Sequence, residues 1–324
     1  MPEVDSSAVT AGSPASALAI LVDQHWARSV EAAVAQRMPG LEIVTDLDTI
    51  VLSSVAYLAT WNPPPGTFSK LRRLRLVCSS GAGVEKLIEA DDLPASIPIV
   101  RTVDPATNAG VAQYVAYMLL RWFREFDRYE QQQRERCWQR HPVRAAAATT
   151  VGILGLGSLG RDVARAALAL GFRVVGWSRS QHDMPGVECH VGAAGLSACL
   201  RQSDCLVCLL PQTPQTLALL DRNALEQLPA GAYVINVARG GLVVTADLLA
   251  LIDAGHLSGA ALDVHVREPL PAADPLWTHP RVTVTPHVAS HTTAQVLAEQ
   301  LCDNIERLRR GQPLRNCVDR QRGY

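Results

Sequence analysis

Residues 151–160 read Val-Gly-Ile-Leu-Gly-Leu-Gly-Ser-Leu-Gly, and this stretch decides the fold of the second half of the chain. The apolar run 151–154 has the pattern of a buried strand and is followed by Gly155-x-Gly157-x-x-Gly160 and a helical stretch. In such a unit the first glycine permits a tight turn, the second lets a pyrophosphate approach, and the third lets helix and strand pack closely. The start of the helix offers N–H groups and partial positive charge to phosphates. The pattern predicts a dinucleotide site, with cofactor contacts at Gly155, Gly157, Ser158, Leu159 and Gly160.

The strand after the glycine turn predicts which nicotinamide cofactor is used. An Asp or Glu about 20 residues beyond the glycines would hold the ribose 2′-hydroxyl of NAD(H). The predicted strand 172–177 is instead followed by Ser178, Arg179 and Ser180, without a carboxylate. An acid would repel a 2′-phosphate, whereas a guanidinium flanked by two hydroxyls would bind one. We therefore expect NADP(H) to be preferred and leave use of NAD(H) open; the alternative is that Arg179 is an ordinary solvated loop charge.

Composition and charge exclude several other classes of protein. The chain has 324 residues, 48% of them hydrophobic and 19% charged, which is typical of a globular protein of two domains. A net charge of −1 gives no basic excess for nucleic acid or an anionic membrane surface. No apolar run approaches the roughly 20 residues that span a bilayer. We expect no nucleic-acid or membrane partner, a cytoplasmic location, and disorder in residues 1–16.

The eight cysteines are scattered, and only Cys205 and Cys208 have the spacing of a redox or metal pair. They lie within a predicted strand, where positions three apart face opposite sides of the sheet. We therefore interpret them as core thiols in a reducing compartment and expect no metal site.

Predicted strands fall into two sets, with helices between them. The first set is 18–22, 41–45, 55–60, 74–79 and 97–101, and the second is 150–154, 173–177, 205–210, 232–237, 260–264 and 282–285. One long helix is expected between them, from about 110 to 136. This alternation predicts an α/β fold with two doubly wound parallel-sheet domains. A Rossmann-type NADP-binding domain, 108–291, is expected to be inserted into a flavodoxin-like substrate-binding domain, 1–107 plus 292–324.

Polar residues follow three successive strands of the second set: Arg239 after one, Glu268 after the next and His287 after the last. Because ligands of open α/β sheets bind at the carboxyl ends of strands, we expect these side chains to converge at the edge that carries the glycine turn. Each residue alone also has a structural interpretation. Arg239 could cap a helix, Glu268 could be a solvated acid, and His287 could be a hydrogen-bonded structural histidine.

The chain resembles the D-isomer-specific 2-hydroxyacid dehydrogenases along almost its whole length. The matching segments are the glycine turn, 210–216, 236–241, 262–264 with 268–269, and 286–287. Within that family it looks most like the glyoxylate/hydroxypyruvate reductases, in the segments 61–64, 81–84, 122–124, 276–283 and 318–324. The resemblance implies an NADP-dependent oxidoreductase that reduces small 2-keto acids, glyoxylate to glycolate and hydroxypyruvate to D-glycerate, and that forms a homodimer.

The resemblance also implies roles for individual residues. His287 would protonate the carbonyl oxygen as hydride reaches C2, Glu268 would favour the imidazolium form of His287, and Arg239 would bind the substrate carboxylate. The implied substrate-binding residues are Trp61, Ala82, Gly83, Arg239 and His287. The further implied cofactor contacts are Ser178, Arg179, Ser180, Leu210, Pro211, Thr216, Val237, Ala238, Arg239, Asp263 and His287.

Two other functions stay open at this point. The substrate could be a bulkier 2-keto acid such as phenylpyruvate, because the sequence does not show the pocket walls. The chain could also be a dinucleotide-sensing binding protein without catalytic activity, because the corepressor relatives keep the Arg, Glu and His. Trp138 is expected in a dimer-contacting region, where it would either reach a neighbouring active site or pack as a buried interface aromatic.

Overall fold

The computed structural model describes residues 16–45, 54–290 and 292–321. The predicted disorder of residues 1–16 therefore falls, except for Ser16, outside the described residues, as does the end of the tail at 322–324. The chain packs as two compact units. One consists of Met1–Asp104 with Thr292–Tyr324, and the other of Pro105–His291.

The strands and helices are numbered in the order in which they occur along the sequence. The strands are β1 (Ala17–Leu21), β2 (Ile43–Val44), β3 (Val55–Thr60), β4 (Leu76–Ser79), β5 (Ile99–Arg101), β6 (Thr150–Leu154), β7 (Arg173–Ser178), β8 (Val187–Val191), β9 (Cys205–Cys208), β10 (Ala232–Asn236), β11 (Leu257–Leu262) and β12 (Val282–Val284). The helices are α1 (Gln24–Arg37), α2 (Glu85–Ile88), α3 (Pro105–Phe123), α4 (Phe126–Glu135), α5 (Ser158–Ala169), α6 (Gly192–Gln202), α7 (Arg222–Leu225), α8 (Thr245–Asp253) and α9 (Ala294–Arg309).

The first unit is a five-stranded parallel sheet in the order β2-β1-β3-β4-β5, which is the flavodoxin-type order. Helices α1 and α9 pack against each other, and their apolar residues share one buried cluster with those of the sheet. A second cluster, which includes Phe68 and Leu87, covers the other face. Strands buried on both faces need continuous apolar runs, which is why the sequence pattern located them.

The second unit is a seven-stranded parallel sheet in the order β12-β11-β10-β9-β6-β7-β8. This is the strand order of a Rossmann fold extended by one strand. The direction in which successive strands are added to the sheet reverses between β6 and β9. Buried clusters cover both faces, with Cys208 in one and Cys205 in the other. The interpretation of these two cysteines as thiols on opposite faces is thereby confirmed, as is the predicted fold class.

The prediction of one helix from 110 to 136 is wrong, because the chain breaks into α3 and α4 at Glu125, whose φ is 52°. The end of α3 is held on the sheet: Trp122 donates to Ser258 Oγ at 3.0 Å and its ring stacks on Tyr233. Helix α4 is polar, with Gln132 its only buried residue, so nothing apolar keeps it in line with α3. Strand β8 was also missed, since it is an edge strand of mixed polarity with no fully buried residue.

Candidate active site

All the site segments predicted in the second unit follow the carboxyl ends of strands of the seven-stranded sheet. The glycine turn follows β6, residues 178–180 end β7 and follow it, and 210–216 come after β9. Arg239 follows β10, Asp263 follows β11, and His287 comes shortly after β12. Because the strands are parallel, these segments share one edge of the sheet, which flanks the point where the strand order reverses.

The glycine turn leaves no room for side chains at its first and third glycines. Gly155 has a φ of +104°, and a Cβ there would lie 2.9 Å from Leu209 O. A Cβ on Gly160 would lie 1.8 Å from Gly155 O, so helix α5 packs directly on the turn. A Cβ on Gly157 would meet nothing within 4 Å, and this residue is the N-cap of α5. The N–H groups that begin α5 therefore face space that a phosphate can occupy.

The loop after β7 has a serine where an NAD-binding protein of this fold would carry an acid. Ser178 is buried, and its hydroxyl donates to Ser180 O at 2.7 Å. Arg179 and Ser180 are exposed beside it. The loop is therefore compatible with a bound phosphate and carries no carboxylate at the position that would repel one.

His287 and Glu268, whose positions after neighbouring strands predicted only that they converge, lie within hydrogen-bond distance of each other. His287 Nδ1 lies 2.8 Å from Glu268 Oε2, and Glu268 Oε1 accepts a hydrogen bond from His265 N at 2.9 Å. Burial raises the pKa of Glu268, but the hydrogen bonds from His287 and from the His265 N–H outweigh it, so its pKa lies below the ordinary value. An ionised Glu268 assigns the Nδ1 hydrogen to His287.

Asp263 anchors the loop that carries His287. This residue is fully buried, and its Oδ1 accepts hydrogen bonds from Thr285 Oγ1 at 2.6 Å and from Val288 N at 2.8 Å. Its Oδ2 accepts from Ala289 N at 2.8 Å, and its carbonyl oxygen accepts from His287 N at 2.8 Å. These bonds hold His287 in the left-handed region, at a φ of 56°. The predicted contact of Asp263 with the cofactor stays a prediction; the structure gives the carboxylate a structural role that the sequence did not indicate.

Tyr114 extends this network onto helix α3. Its hydroxyl lies 2.7 Å from Thr285 Oγ1, and because Thr285 donates its own hydrogen to Asp263, Tyr114 is the donor. Burial raises the pKa of Tyr114 to about 12, so the phenol keeps its proton. Neither Tyr114 nor Thr285 was predicted as a site residue, and the only sequence signal was that Thr285 stands two residues before the histidine.

Arg239 lies where the chain leaves β10, in an extended conformation that the neighbouring residues fix. Asn236 Nδ2 donates to Arg239 O at 3.0 Å, and Asn236 Oδ1 accepts from Ala238 N at 3.1 Å. Arg239 Nη1 donates to Ala238 O at 2.6 Å. The next residue, Gly240, is wedged against the chain after β11, since a Cβ there would lie 2.1 Å from His265 C. The same turn contains Val237, which is half-buried, and the buried Ala238.

The segment after β9 forms a compact turn. Leu210 is buried and Pro211 is exposed. Thr216 donates to Pro211 O at 2.6 Å and accepts from Thr213 N at 2.8 Å, which closes the turn. These are the positions predicted to line the cofactor, and that role stays a prediction.

The residues predicted to bind substrate from the first unit follow two adjacent strands of the five-stranded sheet. Trp61 follows β3 and is 39% exposed, and Ala82 and Gly83 lie in the turn after β4. Ser79 donates to Gly83 O at 2.6 Å and accepts, on its carbonyl oxygen, a bond from Thr102 Oγ1 at 2.8 Å. The turn is thus fixed with Ala82 exposed, and the role of these three residues in substrate binding stays a prediction.

No helix in ranges 16–45, 54–290 and 292–321 is long and apolar enough to cross a membrane. The same ranges contain no cluster of three or more His, Cys, Asp or Glu side chains placed to hold a metal ion.

Comparison with known proteins gives concordant matches over most of the chain. A family model described as "D-isomer specific 2-hydroxyacid dehydrogenase, NAD binding domain" matches residues 116–289. A glyoxylate/hydroxypyruvate reductase A of Salmonella typhi is 42% identical over 273 residues, which cover 83% of this chain and 87% of that protein. An NADPH-dependent glyoxylate/hydroxypyruvate reductase of Sinorhizobium meliloti, solved with NADP and sulfate, has a TM-score of 0.88 and 37% identity, covering 95% of this chain and 100% of that one. A D-isomer specific 2-hydroxyacid dehydrogenase of Xanthobacter autotrophicus Py2, solved with NADPH and MES, has a TM-score of 0.87 and 38% identity, covering 96% of this chain and 100% of that one.

Proposed function

The chain belongs to the D-isomer-specific 2-hydroxyacid dehydrogenase family, and we propose that it is an NADPH-dependent reductase of small 2-keto acids, glyoxylate and hydroxypyruvate. The observation that carries the proposal is the His287–Glu268 hydrogen bond on a loop anchored at the sheet edge that also bears the glycine turn. The similarity to the glyoxylate/hydroxypyruvate reductases of Salmonella typhi and Sinorhizobium meliloti supports the choice of substrates. The reactions are glyoxylate to glycolate and hydroxypyruvate to D-glycerate.

The second unit fits the adenine dinucleotide that this proposal requires. The crowding at Gly155 and Gly160 and the open space at Gly157 suit a pyrophosphate at the start of α5. Arg179, with Ser178 and Ser180, would hold the 2′-phosphate, and the predicted contacts at Leu210, Pro211, Thr216, Val237, Ala238 and Asp263 would lie along the rest of the cofactor. When bound, NADPH would supply the hydride that reaches C2 of the keto acid.

His287 would supply the proton that completes the reduction. As C2 gains the hydride, the carbonyl oxygen gains a proton from Nε2 of the imidazolium, which gives the 2-hydroxy acid and a neutral histidine. Glu268 stabilises the imidazolium before the transfer and keeps the Nδ1 hydrogen in place afterwards. Arg239 would bind the substrate carboxylate through two parallel hydrogen bonds and polarise the carbonyl group.

Initial rates of NADPH and NADH oxidation with glyoxylate, hydroxypyruvate and phenylpyruvate test the proposal. We expect fast NADPH oxidation with the two small acids and slower oxidation with NADH. Turnover of phenylpyruvate alone would mean that the substrate is a bulkier 2-keto acid, and it would leave the proposed mechanism unchanged. No turnover of any acid, with NADPH still bound, would contradict an enzymatic function and favour a dinucleotide sensor.

Arg239→Ala separates catalysis from cofactor binding in the same assay. We expect kcat/KM for glyoxylate to fall by about 10²- to 10³-fold, while the Kd of NADPH changes little. Arg310→Ala is a suitable control, because Arg310 is an exposed arginine at the end of α9 that forms an ion pair with Glu306. Equal activity of the Arg239→Ala and Arg310→Ala proteins would contradict the role of Arg239.

We also propose that the protein is a homodimer that associates through α4 and the loop after it. Trp138 in that loop is 93% exposed and, with Tyr129 and Arg140, lines a cavity of about 410 Å³. Exposed aromatic and arginine side chains are typical of protein interfaces. Light scattering should give the mass of two chains, and Trp138→Asp should shift it towards one; a wild-type mass of one chain would contradict the proposal.

A further inference from the structure

The side chain of Arg161 links the glycine turn to the loop after β7. Arg161 lies near the start of α5, and its Nε donates to Leu156 O in the turn at 3.3 Å. Its Nη2 lies 3.2 Å from Nδ1 of His182, in the loop that follows β7. Arginine has five N–H donors in a planar fork, and these two contacts use only two of them.

This is the part of a Rossmann fold where the 2′ substituent of the adenosine ribose lies, next to the residues that follow the second strand. The glycine turn and β7 are in close contact here, since a Cβ on Gly176 of β7 would lie 2.6 Å from the Leu156 side chain. The guanidinium of Arg161 therefore lies where the turn meets the loop, on an exposed side chain.

The pairing with His182 also decides which hydrogen-bonding groups the pair offers. Because Arg161 donates to His182 Nδ1, that nitrogen is an acceptor and the ring carries its hydrogen on Nε2. The pair therefore offers the permanent positive charge of Arg161 and a further N–H donor at His182 Nε2. The loop 178–186 adds Arg179 and contains one acid, Asp183, so the basic groups outnumber the acid.

We propose that Arg161, oriented by His182, is a second residue that recognises the 2′-phosphate of the cofactor, beside Arg179. The inference rests on the proposed use of NADPH. A phosphate monoester carries about −1.5 to −2 charges and three acceptor oxygens, which is more than one forked guanidinium satisfies. Arg161 on α5 and Arg179 on the loop would bind different oxygens of the 2′-phosphate. Discrimination between NADPH and NADH would then depend on both.

Calorimetric binding of 2′,5′-ADP and 5′-AMP to the full chain tests the inference without any turnover, because the two ligands differ only in the 2′-phosphate. For Arg161→Ala we expect the Kd of 2′,5′-ADP to rise by about tenfold or more, as for the loss of a charge-assisted hydrogen bond. The Kd of 5′-AMP should stay unchanged. Arg161→Lys keeps the charge without the fork and should give an intermediate Kd for 2′,5′-ADP.

Arg165→Ala is the matched control, since Arg165 lies one turn further along α5 and pairs with Asp162. It should leave both Kd values as in the wild type. If Arg161→Ala weakens both ligands equally, Arg161 only supports the glycine turn and the inference is wrong. If Arg179→Ala removes the preference for 2′,5′-ADP while Arg161→Ala leaves it intact, the inference fails but NADPH use stands. A wild-type protein that binds both ligands equally would overturn both proposals.

Discussion

Asp263→Asn tests whether this buried carboxylate anchors the loop of His287. The two oxygens of Asp263 accept three hydrogen bonds, from Thr285 Oγ1, Val288 N and Ala289 N. An asparagine keeps an acceptor in place of one oxygen but turns an NH₂ group towards a donor in place of the other. Since Ala289 is buried, its N–H would then lack an acceptor. A lost hydrogen bond to a charged group and an unpaired buried donor together should lower the free energy of unfolding by about 2 to 4 kcal/mol.

Thermal and urea denaturation, followed by circular dichroism, measure this loss. At about 2 to 4 °C per kcal/mol for a unit of this size, the midpoint should fall by about 5 to 15 °C. Asp221→Asn is the matched control, because Asp221 accepts one hydrogen bond from Ala224 N at the N-cap of α7, where asparagine caps equally well. The looser loop should also lower kcat for glyoxylate, with little change in the Kd of NADPH. An unchanged midpoint together with weaker NADPH binding would refute the anchor and make Asp263 a cofactor contact.

Three further substitutions have expected outcomes that the structure sets. Because the pKa of Glu268 is lowered on folding, its ionised form stabilises the protein above the ordinary carboxyl pKa of about 4.3, and this stabilisation is lost as the pH falls through the lowered pKa. Glu268→Gln weakens the pair with His287. The free energy of unfolding in urea should therefore be higher for the wild type than for this variant at pH 5, and the difference should shrink between pH 5 and pH 3. Gly240→Ala should lower the melting midpoint by an amount equivalent to about 1 to 3 kcal/mol or more, because its Cβ would overlap backbone, whereas Gly40→Ala, whose Cβ meets nothing within 4 Å, should not. Glu125→Gly should raise the midpoint by about 1 to 3 °C in differential scanning fluorimetry, since glycine adopts its φ of 52° without strain.

The sheets and the glycine turn could be predicted because each requires particular residue types at particular positions in the sequence. Strands such as β6 and β9 are buried on both faces, and only continuous apolar runs satisfy that environment. The turn needs glycine at Gly155 for its φ and at Gly160 for the contact of helix with backbone, so this spacing between an apolar run and a helical stretch identifies it. The order of the strand ends then predicts that Glu268 and His287 lie at one edge of the sheet.

Features that depend on tertiary packing were not predictable in the same way. Helix α3 stops at Phe123, where Trp122 stacks on Tyr233 and Phe123 packs edge-on against Phe172, and the residues of α4 that follow are mostly polar. Strand β8 has the sequence Val-Glu-Cys-His-Val, whose polarity fits an edge strand as well as a loop. Pairing with β7 decides between them, and that pairing is not visible in a local pattern.

The hydrogen bonds to Asp263 show why only part of the candidate site could be predicted from the sequence. Two of its three carboxylate partners are backbone N–H groups, which every residue but proline possesses, so no residue type marks them. What they hold is a backbone conformation: a residue with a side chain at a φ of 56° costs about 1 to 3 kcal/mol. The bonds to Asp263 offset that cost and point the His287 ring at Glu268. A sequence can thus point to the histidine and the glutamate of such a site, while their orientation towards each other depends on the loop that Asp263 fixes.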